Sequence, residues 1–130
     1  ENQAKELGVV DNIEIVKRVE HKKIYNYISL SKVGVLSNKY DADGLLFTSP
    51  LKLYEYLGSG LKVVVSRLPS IESNIDQSLV YYATPESPYS FAKEILIALD
   101  DVTFDFNKVK DFSKNYTWES RAKSFIKFVS

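Results

Sequence analysis

Apolar positions along this chain come in short runs, separated by turn residues, and their spacing switches repeatedly between two periods. Residues 12–19, NIEIVKRV, alternate through Ile13 and Ile15 and predict a strand. HKKIYNYISLS, 21–31, places Ile24, Tyr27, Ile28 and Ser31 at helical spacing, and 32–37, KVGVLS, is a short apolar run that predicts a buried strand. A loop over 38–48 follows. Residues 2–8 predict the end of a helix that stops at Gly8. Ser49 is a natural N-cap and Pro50 suits the first helical position, so a helix is expected from Pro50 to about Leu57, with Gly58 and Gly60 as its stop. KVVVS, 62–66, has no polar alternation, the pattern of a strand covered on both faces. SLVYYA, 78–83, predicts another strand. Ser87 and Pro88 repeat the cap-plus-proline start, and the helix after them aligns Phe91, Ile95, Ala98 and Leu99. The last helix, from Thr117, aligns Trp118, Ala122, Phe125, Ile126 and Val129 in one stripe, with core packing expected of Trp118 and Phe125.

Strands alternating with helices predict an α/β fold, a Rossmann-like parallel sheet with helices on both faces. Such sheets bind ligands beyond the carboxyl ends of their strands, often against a helix N-terminus. The loop 38–48 and the helix after Ser49 are the candidate place. At 100° per residue, Leu53, Tyr54 and Leu57 form the core side of that helix, and Lys52 and Glu55 fall on the opposite side. Lys52 lies in the first turn, where exposed N–H groups already make a positive end. An anion bound by the N–H groups of Leu51 and Lys52 reverses that mismatch, and Glu55 is then positioned to accept hydrogen bonds from a sugar hydroxyl. The plainer alternative is a solvated ion pair between Lys52 and Glu55.

Composition narrows the picture. The chain has 130 residues, 45% hydrophobic and 26% charged, which suits a single domain spanning 1–130 with one core. Its 17 basic and 17 acidic side chains cancel, and no basic stripe directs it to nucleic acid. It has no cysteine, which removes disulfides, thiolate metal sites and a cysteine nucleophile. No apolar run reaches the length of a membrane span. The polar start is not a signal peptide, and the chain contains no methionine, so a fragment of a longer protein is expected.

Other signals are weak. Asp41 and Asp43 match a D-x-D pattern, but DADG is also a good turn, and no metal site is expected there. His21, the one histidine, starts a predicted helix and reads as structural. Gly58–Ser59–Gly60 is too short for a phosphate-cradling loop.

SPLKLYEYLGSGLKVVVSRLP, from Ser49, closely resembles the donor-site segment of retaining glycosyltransferases with two Rossmann-like domains (the GT-B fold, group 1 or family 4 type). A helix with a glutamate, here Glu55, precedes a small-Gly-x-x-Val-Val run, here Ser59, Gly60 and Val63 to Val65. The ending YTWESRAKSFIKFV is similar to the last helix of the same domain. The resemblance runs from Asn12 to Ser130 and implies the C-terminal, nucleotide-sugar-binding part of such an enzyme. By that resemblance Glu55 binds the ribose hydroxyls, the N–H groups of Leu51 and Lys52 hold the diphosphate or donor sugar, and Ser49 and Pro50 shape the pocket floor. It implies a UDP- or GDP-sugar as substrate with no further cofactor. It also implies a glycan or lipid-linked acceptor, an acceptor-binding domain outside this chain, and a cytoplasmic location, peripheral attachment to the inner membrane face included. In the full-length family the last helix reaches towards the other domain, which implies some apolar surface in the chain alone.

The chain departs from the pattern. Phe47 stands where the family often has an earlier glutamate on the donor sugar, and Asp43 is the carboxylate available to replace it. The family's Arg and Lys pair on the diphosphate belongs to strands that precede this chain, so the fragment alone is expected to be inactive. Two other readings share the alternating pattern: a non-catalytic flavodoxin-like interaction module, and a sugar-nucleotide epimerase on the same scaffold. A receiver-type module needs an acidic cluster after the first strand, and none follows NIEIV.

Overall fold

The computed structural model describes residues 2–40 and 51–129, apart from the side chain of Arg121. The loop carrying Asp41, Asp43 and Phe47, together with Ser49 and Pro50, lies outside the described residues. Among the described residues the fold is α/β. Three parallel strands, β1 (Val33–Leu36), β2 (Lys62–Ser66) and β3 (Tyr81–Ala83), lie in that order with β2 central. Val35 pairs with Val64, and Val65 with Tyr82. Helices precede, connect and follow them: α1 (Asn2–Glu6), α2 (His21–Leu30), α3 (Leu51–Gly58), α4 (Pro69–Glu72), α5 (Pro88–Asp100), α6 (Phe106–Lys114) and α7 (Trp118–Val129).

The pleat sorts the side chains of the sheet between two layers. Leu36, Val63, Val65 and Tyr82 face α3 and α6 and form the larger core with Leu53, Leu57 and Val109. Val64 and Ala83 face α5 and pack on Ala98, with Phe91 and Ile95 half-buried beside them. Helices therefore cover both faces, and Val63, Val64, Val65 and Ser66 of β2 are wholly buried, as the unbroken KVVVS run predicts. The Ser66 hydroxyl meets its hydrogen-bonding need by donating to the Asn38 carbonyl at 2.7 Å. Lys62 starts the same strand and sends its ammonium to the carbonyls of Ala98 and Asp101 at the end of α5, where a cation complements the helix dipole.

Two glycines are required by geometry. Gly60 ends α3 with a φ of +74°. Gly34 lets Tyr56 approach β1 closely, since a Cβ there would fall 2.6 Å from Tyr56 Cδ2. The expected cap of α5 is present: the Ser87 hydroxyl accepts from the Ser90 N–H at 3.2 Å.

Several expectations need correction. Residues 12–19 are not a strand. A 3-10 turn occupies Val10–Asn12, and the chain then runs to α2 without joining the sheet. Ile13 has extended dihedrals, φ −123° and ψ 123°, but Ile13 and Ile15 remain exposed. Alternation sets a backbone preference, and a strand also needs an edge to pair with; among the described residues β1 pairs only with β2.

The stripe of α7 is not core. Trp118 and Phe125 are 77% and 67% exposed, and α7 has no buried side chain among the described residues. The space over the sheet is already filled by α3 and α6, with Phe112 half-buried against the core. Leu99 likewise stays largely outside the α5 interface. The strand expected over 78–83 shortens to Tyr81–Ala83, because Asp76 accepts from both the N–H and the hydroxyl of Ser78 and turns the chain there.

Candidate functional site

Along the outer flank of α3 runs a cleft of about 700 Å³. Its floor is Leu51, Tyr54, Glu55 and Ser59, positions that recur at helical spacing on one side of α3. One wall is His21 and Tyr25 from the start of α2. The opposite wall comes from the junction of α6 and α7, through Lys110, Lys114, Tyr116 and Trp118.

Aromatic stacking fixes the second wall. Tyr116 stacks on Tyr54 with centroids 4.8 Å apart, and the Phe112 ring lies tilted 4.7 Å from Tyr116. This three-ring cluster ties the end of α6 to the middle of α3, and such ring pairs add about 0.5–1.5 kcal/mol each beyond the area they bury. The N-terminus of α6 is set by Asp105, whose carboxylate accepts from the Lys108 N–H at 3.0 Å.

Glu55 is the acidic group of the floor, with its side chain 31% exposed. Its Oε1 lies 3.2 Å from Nε2 of His21, whose ring stands edge-on to Tyr25. Among the described residues Oε2 has no hydrogen bond. The pair spans 34 residues and brings α2 onto α3. An exposed pair of this kind contributes at most about 1 kcal/mol. Its main effect is orientation, because the histidine holds one oxygen of the carboxylate at the edge of the cleft.

Lys52 does not line this cleft. It is exposed, and no ion pair forms between Lys52 and Glu55, so the plain i, i+3 reading of the helix does not hold. Leu51 is 57% exposed at the mouth of the cleft. Thus, of the five residues singled out from the sequence, Leu51 and Glu55 line one cavity, Lys52 stands on the same helix outside it, and Ser49 and Pro50 lie outside the described residues.

The structure adds residues that the sequence does not single out. His21 does start a helix, as expected, but it also meets Glu55. Lys110 and Lys114 supply cations on the far wall, with Lys114 donating to Asp111 at 2.7 Å. No local pattern announces these three, since their place depends on how α2 and α6 pack. For α6 a signal existed: Asp105 as cap, then Val109, Phe112 and Tyr116 at spacings of four, three and four.

The cleft thus offers a hydrogen-bond acceptor on its floor, aromatic rings on both walls and ammonium groups on one side. That set suits a ligand with hydroxyls, a planar ring and negative charge. Among the described residues no group of three or more His, Cys, Asp or Glu side chains converges as a metal site. No helix among them is long and apolar enough to cross a membrane. No protein-family model matches the chain, and no curated protein matches it.

Proposed function

We propose that this chain is the nucleotide-sugar donor-binding portion of a retaining glycosyltransferase that transfers a hexose to a glycan or lipid-linked acceptor in the cytoplasm, as in polysaccharide assembly. The observation that carries this reading is Glu55, a half-buried carboxylate on the floor of a cleft beside a helix N-terminus, with one oxygen held by His21. The parallel sheet with helices on both faces is a scaffold on which such sites recur.

In this reading Glu55 accepts hydrogen bonds from the ribose hydroxyls. The N–H groups of Leu51 and Lys52, with Ser49 and Pro50 preceding them, receive the diphosphate at the start of α3. Their role is electrostatic. The leaving nucleoside diphosphate gains negative charge as the glycosidic bond breaks, and oriented N–H dipoles stabilise that charge without reorganising.

The test is calorimetric titration of the chain with UDP, GDP, ADP and CMP, repeated on Glu55→Ala. Binding of one nucleoside diphosphate that weakens in the variant supports the reading and names the base. Binding that is equal in the two proteins removes Glu55 from the site, and no binding by any of the four counts against a donor site in this chain.

A further inference from the structure

A carboxylate that reads hydroxyl groups must be held in place, and α3 alone does not hold Glu55. Ser59, one turn later, directs its hydroxyl to the Glu55 carbonyl oxygen at 2.8 Å and not to the carboxylate. Lys52, one turn earlier, forms no ion pair with it. Among the described residues neither Lys110 nor Lys114 on the far wall does so, and Lys114 is taken up by Asp111.

The restraint comes from another element. A carboxylate oxygen only accepts, so at 3.2 Å His21 Nε2 is the donor and Glu55 Oε1 the acceptor. The imidazole is steadied in turn by Tyr25, one turn later on α2, whose ring meets it edge-on with centroids 6.1 Å apart. One ring N–H thus restrains a long side chain that its own helix leaves free to rotate.

We propose that His21 is a positioning residue for hydroxyl recognition in this cleft. It holds the Glu55 carboxylate before a ribose arrives, and so sets how strongly the cleft prefers a ligand with ribose hydroxyls over one without them. The proposal rests on the donor reading above. Fixing a glutamate side chain on binding costs free energy, and a restraint already present in the free protein removes part of that cost. Only a ligand that uses the carboxylate benefits. A ligand without the hydroxyls meets the same walls and gains nothing from a restrained Glu55. Imidazole suits the task because it gives one N–H to one oxygen, whereas a lysine ammonium, with three donors and a full charge, competes for the carboxylate as an ion pair.

The test is calorimetric titration with UDP and GDP and with their dideoxy forms, which lack both ribose hydroxyls. The proteins are the parent, His21→Ala, His21→Gln, Glu55→Ala and the double variant His21→Ala/Glu55→Ala. The parent is expected to prefer the hydroxylated ligand by at least about tenfold. In His21→Ala that preference falls about fivefold, through weaker binding of the hydroxylated ligand alone. The unchanged dideoxy affinity is the control for an intact cleft. His21→Gln, which keeps an N–H donor at Nε2, restores most of the preference. In the Glu55→Ala background His21→Ala has no further effect, because it acts through the carboxylate.

A His21→Ala protein that keeps the parent's preference overturns the proposal and leaves the donor reading standing. An equal loss for both ligand forms does the same and makes His21 a structural part of the wall. A loss that persists in the Glu55→Ala background also overturns it, since His21 then acts without Glu55. A parent that binds both forms equally, or neither, removes Glu55 from the ribose and overturns both readings together.

Discussion

His21 Nε2 and Glu55 Oε1 meet at 3.2 Å across 34 residues of sequence, and this contact does two things at once. It orients the carboxylate of the cleft, and it fastens the start of α2, whose single buried side chain, Ile28, lies at the other end of the helix. Removing the imidazole therefore has a dynamic signature. In His21→Ala the amides of the first turns of α2 are expected to exchange several-fold faster, while those of β2 are unchanged. Hydrogen-exchange mass spectrometry reads both in one experiment. Equal exchange in the two proteins shows that Ile28 alone holds α2.

The same pair separates binding from folding. Glu55→Ala is expected to weaken nucleoside diphosphate binding by about 1–3 kcal/mol, the range for a hydrogen bond to a charged group. Its effect on global stability should be no more than about 1 kcal/mol, because Leu53 and Leu57, not Glu55, carry the core side of α3. Titration calorimetry and urea denaturation measure the two effects. A large stability loss with unchanged affinity reverses the assignment and makes Glu55 a structural residue.

Gly34 tests the packing of α3 on the sheet. A methyl group there falls 2.6 Å from Tyr56 Cδ2 and 2.9 Å from Leu61 Cδ2. Both neighbours are side chains, so relief is available, but only by moving Tyr56 off β1. Gly34→Ala is expected to cost about 1–3 kcal/mol, the usual range for an overpacked core. The double variant Gly34→Ala/Tyr56→Leu should recover part of that loss. Urea denaturation midpoints decide it, and an unchanged midpoint for Gly34→Ala disproves the close approach.

Much of this fold is legible where one local cause suffices. KVVVS is a strand because nothing in it suits a surface, and α5 starts at Pro88 because Ser87 caps it. Local reading fails where the cause is distant. Ile13 and Ile15 alternate correctly for a strand, yet no described edge accepts them. Trp118 and Phe125 keep helical spacing for a core that α3 and α6 have already closed. At the cleft, Glu55 is legible from its own helix, and its partner is not. Nothing near His21 in sequence indicates that it meets a carboxylate, because that contact is made by the packing of two helices. Lys52 shows the converse: a residue that looks placed for a ligand by helix geometry stands outside the cavity.

The end of α5 provides a pH-dependent test. The Tyr81 hydroxyl donates to Asp101 Oδ2 at 2.7 Å, and the hydroxyl and N–H of Thr103 both donate to Oδ1 at 2.7 Å. These donors hold the Asp101 carboxyl down to about 2, with the Tyr81 hydrogen bond the largest cause. The same contact, together with burial, pushes the Tyr81 hydroxyl well above its ordinary value, burial contributing most. For a depressed carboxyl the sign is fixed. The folded state prefers the ionised form, so the stabilisation is complete above the unfolded value near 4 and is lost as the pH falls towards about 2. Asp101→Asn removes the charge that these donors favour. Its melting temperature is expected to lie below that of the parent at pH 7, and the gap should close between about pH 4 and pH 2. Thermal melts across that window, followed by circular dichroism, measure it. A gap that stays constant down to pH 2 rules out the ionised carboxylate as the cause and leaves only the geometry of the turn at Thr103.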